Sequence, residues 1–149
     1  MKFYKANPQP YIKLRIFATI IDYSIFIFFL CIIFYAFGEK TDDGWVVNGA
    51  PALIVPTVWF LYFVVTESIN QATPGHDIVK LKVVKSDCTK IGLGDAFKRR
   101  ICDPIDIGIY SIPALIAVSK SVKHQRLGDM LADTIVIKSS DIIETEVTF

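Results

Sequence analysis

Apolar residues run through this chain in long unbroken blocks, not in the 2.0 or 3.6 periods of a soluble domain. Ile16 to Phe37 is 22 residues with a single charge, Asp22. As a helix it extends roughly 33 Å, enough to cross a hydrocarbon core of about 30 Å. Lys2, Lys5 and Lys13 precede it, as basic residues precede a signal peptide's apolar region. That region is only about 7–15 residues long and ends in a small-x-small cleavage site. Here the block is longer and ends in Phe34-Tyr35-Ala36-Phe37, which predicts an uncleaved transmembrane helix over 16–37. A second uncharged block, Gly44 to Thr66, predicts another over 46–66, with Pro51 in its first turn and a bend at Pro56. Trp45, Trp59, Tyr62 and Phe63 suit interfacial or helix-contact positions in it. The short acidic link, with Glu39, Asp42 and Asp43 against Lys40, makes the two helices an antiparallel hairpin.

A third block, 104–119, has 13 uncharged residues between Asp106 and Lys120 and is interrupted by Pro113. About 20 Å of helix falls short of a full span, so the segment is re-entrant or a short tilted crossing. Two β-branched runs, 79–84 and 134–137, predict strands that pair as a small cytoplasmic ribbon. Such a ribbon ties together the two ends of the third block and favours re-entry. The fold expected is an all-α membrane protein, a two-helix hairpin with a third short hydrophobic helix and that ribbon. One domain covers 1–138, and the acidic tail 139–149 is expected to fray.

The whole composition agrees: 149 residues, 52% hydrophobic, 21% charged, mean hydropathy +0.45. A formal charge of +1 argues against a broadly basic nucleic-acid binder. Three cysteines without a C-x-x-C pair build neither a disulfide framework nor a zinc site. Lys2, Lys5, Lys13 and Arg15 before the first helix, and Lys80 to Arg100 after the second, put both ends inside. The N-terminus is then cytoplasmic, the 38–43 tip lies outside, and the plasma (inner) membrane is the expected location.

A charge at membrane depth costs about 2.5–3.5 kcal/mol on insertion scales, so it is expected to face protein or water. Asp22 stands seven residues beyond Arg15, near two helical turns, with Ala18 and Thr19 on the same face. Small residues allow close approach, so this stripe is expected to meet other helices. Arg99 is followed at the same spacings by Asp103 and Asp106. The plain reading is a salt-bridged helix entrance; the sharper one is two half-sites, each a carboxylate backed by a guanidinium. Glu67, at the inner end of the second helix, sits level with Arg15 and is placed to pair with it. His76 and His124 lie in predicted loops with no ligand spacing, and neither is read as metal-binding or catalytic.

Four pieces occur in order: Arg15-x-x-Ala18-x-x-x-Asp22, Gln71-Ala72-Thr73-Pro74-Gly75 before Lys82-Val83-Val84, Arg99 to Asp106, and Gln125-Arg126-Leu127-Gly128-Asp129 through Thr134. In these the chain resembles the RDD family of small membrane proteins, named for one arginine and two aspartates. It departs from the family at His76, usually Lys or Arg, and at Asp133, usually Gly; the latter could add negative charge near Asp129. The resemblance implies transport of a poorly defined ligand, with sodium/proton antiport known for some members.

The leading expectation is therefore a proton-coupled monovalent cation carrier without cofactor or metal. Asp22 and Asp106 are its carboxylates, and Arg15 and Arg99 their switches. So thin a chain then implies a homodimer or higher homo-oligomer in the lipid bilayer. On that reading Asp22→Asn keeps the fold and abolishes exchange. The rival is a non-transporting membrane adaptor with a partner-binding cytoplasmic face, Thr73 to Arg100. A carrier needs Asp22 open to a water-filled cavity, whereas an adaptor needs it only hydrogen-bonded in a closed bundle. No nucleophile–base pair, H-E-x-x-H or phosphate loop points to an enzyme.

Overall fold

The computed structural model describes residues 2–5, 9–104, 112–141 and 143–146. Two long apolar helices, α1 (Ile12–Phe37) and α2 (Ala50–Asn70), are each long and apolar enough to cross a membrane. Most of their surface is apolar and exposed, as with Phe17, Phe28 and Leu53. Aromatic rings join them: Tyr23 and Phe26 of α1 lie 5.2 and 5.4 Å from Phe63 of α2. The tip between them is a tight hairpin, β1 to β6 being numbered in chain order. In it β2 (Glu39–Thr41) pairs antiparallel with β3 (Gly44–Val46) across Asp42-Asp43.

Pro51 stands in the opening 3₁₀ turn of α2, where its missing N–H costs nothing. From Phe60 to Val65 the helix widens to a π turn before closing again as α-helix over Thr66–Asn70. Such a turn carries extra residues past the regular repeat and so resets which side chains face inward. Phe63, Val64 and Glu67 are the residues it leaves buried. Gln71, in the left-handed region, ends α2, and its amide clasps Ile91, Oε1 accepting the Ile91 N–H at 2.7 Å.

Beyond α2 the chain forms α3 (Pro74–Ile78), β4 (Leu81–Lys85), α4 (Leu93–Ile101), α5 (Ile112–Lys120), α6 (Leu127–Leu131) and β5 (Thr134–Lys138). β4 and β5 pair antiparallel, Leu81 opposite Lys138 and Lys85 opposite Thr134, as their β-branched runs predict. Leu81, Val83 and Val136 of this ribbon bury against Val64 of α2, Ile91 and Ala96. That core fastens the ribbon to the helical hairpin. Asp106, with the rest of 105–111, lies outside the described residues, so the entry of the third hydrophobic segment does too. The tail departs from expectation: β6 (Ile143–Glu146) pairs antiparallel with β1 (Lys2–Lys5), Lys2 opposite Glu146.

Candidate functional site: a buried polar core between the helices and the ribbon

The Ala18–Asp22 stripe is buried, as its small residues predict. Its partner is α3, the short helix that follows Thr73. Gly75 of α3 sits so close that a Cβ there would come 2.3 Å from the Ala18 carbonyl oxygen and 2.7 Å from Asp22 Cγ. Glycine is the residue that permits this approach.

The contact makes a socket for the Asp22 carboxylate. Oδ1 accepts the Gly75 N–H at 2.7 Å and the Tyr62 hydroxyl at 3.3 Å. Oδ2 accepts the Thr73 hydroxyl at 2.5 Å, with His76 Nδ1 3.3 Å away. A carboxylate cannot donate, so the single Thr73 proton points to Asp22. His76 Nδ1, 2.8 Å from Thr73 Oγ1, must then carry its own hydrogen and donate it. The chain His76–Thr73–Asp22 is thus fixed in direction and in tautomer.

Burial, the largest influence on His76, pushes its pKa below the ordinary 6.5 and Arg100 adds to that, although Asp22 and Glu67 pull the other way. His76 is therefore neutral at pH 7, and its contact with Asp22 is a hydrogen bond, not an ion pair. Between the two pKa values the unfolded chain binds the extra proton. The His76 contribution is complete above about pH 6.5 and shrinks as pH falls below it. We expect the thermal midpoint of the detergent-solubilised protein to drop across that window, and to drop less in His76→Gln.

Deeper toward the ribbon lies a second cluster. Arg15 donates from Nη1 to Asp129 Oδ2 at 3.1 Å and from Nη2 to the His124 carbonyl at 2.9 Å. Arg99 grips Asp129 Oδ1 through Nε and Nη2, at 2.9 and 2.8 Å, and reaches Glu67 with Nη1. Arg100 donates to Glu67 Oε2 at 2.9 Å and Asp103 Oδ2 at 3.1 Å, its guanidinium 4.9 Å from the centre of the Phe63 ring. Arg126 meets Asp103 Oδ1 at 3.0 Å and Asp129 Oδ1 at 3.4 Å. Burial alone would raise the pKa of Asp129. Arg99, Arg126 and Arg15, with the Arg126 N–H, outweigh it and hold the carboxyl far below its usual range. Four guanidiniums here face three carboxylates among the described residues, and neighbouring Asp22 supplies a fourth.

This wiring corrects the local pairings expected from spacing. Arg15 does not back Asp22, and Glu67 does not pair with Arg15. Arg99 takes Glu67 and Asp129 rather than Asp103, which goes to Arg100 and Arg126. The physical reason is reach. About 10 Å of helix rise separates Arg15 from Asp22, whereas the fold brings Asp129 within hydrogen-bond distance. Arg100 and His76 were missed; two adjacent arginines at the end of an amphipathic helix, and a histidine beside Thr73-Pro74-Gly75, were their only signals.

The remaining motif residues hold the frame. Gly128 lets α6 lie against the Arg99 backbone, where a Cβ would come 2.4 Å from the Arg99 carbonyl oxygen. Thr134 donates to the Asp129 carbonyl at 3.4 Å and accepts from Gln125 Nε2 at 2.7 Å. Asp133 adds no charge at Asp129: its exposed carboxylate accepts from Ser86 Oγ at 2.6 Å. Its backbone is left-handed, φ 49°, a conformation that favours glycine.

Residues 10–133 match the RDD family, most of the chain and both halves of this polar core. The chain belongs to it. No curated protein and no solved structure matches. Membership, together with the two long apolar helices, points the RDD chain to a membrane. Arg15, Asp22, Thr73, Gly75, Arg99, Arg126, Gly128 and Asp129, taken from four separate stretches, meet around α3, α4 and α6. In this RDD chain the matching pieces are therefore the parts of one assembled core.

Proposed function

We propose that this RDD protein is a membrane-anchored scaffold subunit whose polar core is a fixed fastening between the apolar hairpin and the ribbon. The observation that carries this reading is the saturation of Asp22. A carboxylate offers about four acceptor sites; Gly75, Tyr62 and Thr73 each give it a hydrogen, and the His76 Nδ1–H is shared between Thr73 Oγ1 and Asp22 Oδ2. A cation arriving there would meet hydrogens rather than lone pairs. The 410 Å³ cavity beside Ile27, Leu30, Phe34 and Trp45 is apolar and lies toward the hairpin tip instead. Of the Thr73 to Arg100 face, Asp77, Lys80, Asp87 and Lys90 remain exposed and form the surface for a partner protein. On this reading the surface is cytoplasmic and the hairpin tip outside, which the Lys/Arg excess flanking the helices supports.

The second reading, a proton-coupled monovalent cation carrier of the cell membrane, is favoured by one observation. The chain His76–Thr73–Asp22 links a titratable ring to a carboxylate through a single hydroxyl. In that case several copies would assemble to line an aqueous path. Proteoliposomes with an internal pH dye separate the two readings. The scaffold predicts no proton movement by the wild type under any monovalent gradient. Exchange that depends on Asp22 would overturn it.

The saturated socket also revises what Asp22→Asn does. An amide replaces one acceptor oxygen with a donor that must face two existing donors. We expect a loss of about 1–3 kcal/mol, since at least one buried donor goes unsatisfied. Unfolding of purified Asp22→Asn in detergent measures it; wild-type stability would remove the four-donor account.

A further inference from the structure

Helix α4 is amphipathic the wrong way round for a surface helix. Ala96, Arg99 and Arg100 face inward, while Leu93, Phe97 and Ile101, at i, i+4 and i+8, are exposed. The inward arginines are satisfied by the core just described. Among the described residues this outward face is exposed, apart from the side of the Phe97 ring that meets α2. Its depth tells what covers it. The Phe97 ring lies 6.5 Å from Trp59 and 6.3 Å from Phe60, in the middle of α2. Trp59 is eleven residues from the end of α2 at Asn70, about 16 Å along the axis. Where α2 crosses a hydrocarbon core of about 30 Å, that distance is about half the core, from its middle to its edge. Phe97 therefore extends the exposed apolar surface of α2, where Leu61 is also exposed, rather than forming an isolated patch in water.

We propose that α4 is a third membrane-embedded element, with Leu93, Phe97 and Ile101 against acyl chains. The occupant is lipid because the face continues the apolar surface of a membrane-length helix at that helix's mid-depth. Sequence spacing had put residues 93–100 in the cytoplasm, since Lys98, Arg99 and Arg100 read as a basic inside segment. With two of the three buried in ion pairs, that signal is spent inside the protein.

The inference rests on α2 crossing the bilayer, and the test carries its own control. A nitroxide-bearing amino acid is placed singly at Leu93, Phe97, Ile101 or Leu61, leaving the three cysteines in place. The full chain is reconstituted in vesicles of mixed zwitterionic and anionic phospholipid, and collisions with oxygen and a water-soluble nickel chelate are compared. We expect oxygen to dominate several-fold at Leu93, Phe97, Ile101 and Leu61. Chelate access at Leu93, Phe97 and Ile101, with Leu61 still in lipid, overturns the placement of α4 alone. Chelate access at Leu61 as well removes the spanning of α2 and the inference with it. Protection of the α4 face from both probes overturns lipid as occupant and identifies a protein partner.

Discussion

Asp129→Asn is expected to destabilise the protein by about 3–5 kcal/mol, the cost of removing one partner from a buried ion pair. The substitution changes the shape of the side chain hardly at all. It removes the single anion on which Arg15, Arg99 and Arg126 converge. Arginine does not shed its proton to escape, so the excess positive charge stays buried. The ion network as a whole need not outperform an apolar core; its desolvation cost offsets most of the attraction. The asymmetry lies in breaking it. Folded proteins are stable by about 5–15 kcal/mol, so the variant should lose much of its monodisperse fraction in detergent and unfold at a lower temperature. Asp133→Asn, four residues on with an exposed carboxylate, should move stability within about ±0.5 kcal/mol. Equal midpoints for Asp129→Asn and the wild type would mean the network does not hold the fold.

The second large effect belongs to Gly75→Ala. Its Cβ would press on the Ala18 carbonyl oxygen at 2.3 Å, and backbone cannot turn aside as a flexible side chain can. α3 must lift from α1, at about 1–3 kcal/mol for overpacking. Lifting also pulls the Gly75 N–H and the Thr73 hydroxyl from Asp22, and an unsatisfied buried carboxylate adds about 1–3 kcal/mol. Gly94→Ala provides the contrast, because nothing lies within 4 Å of a Cβ there. On exposed helix it should be neutral or gain about 0.5–1 kcal/mol. Chemical unfolding of the two variants side by side tests the pair. Equal behaviour would show that α3 does not pack on α1 as described.

The predictions draw on different depths of information. The two apolar helices, the Pro51 start of α2, the β4–β5 ribbon and the inward turn of Ala18 and Asp22 were all legible along the chain. Each depends on periodicity, block length or residues within two turns, which a linear sequence contains. The partners of the charged residues were not legible. Arg15 is 114 positions from Asp129, and Glu67 is 32 and 33 from Arg99 and Arg100. Spacing along one helix ranks only local candidates. The choice among buried charges is made by which carboxylate the packed elements bring within about 3 Å. The inside-out face of α4 was hidden for the same reason, since arginines look cytoplasmic until acids from elsewhere neutralise them. His76 looked like a loop residue until α3 folded it onto Asp22. By itself the sequence determined a membrane-length hairpin of the RDD family with a small strand pair beneath it. Only the tertiary structure decided how its charges pair, because a buried ion is placed by distance in space and not by distance along the chain.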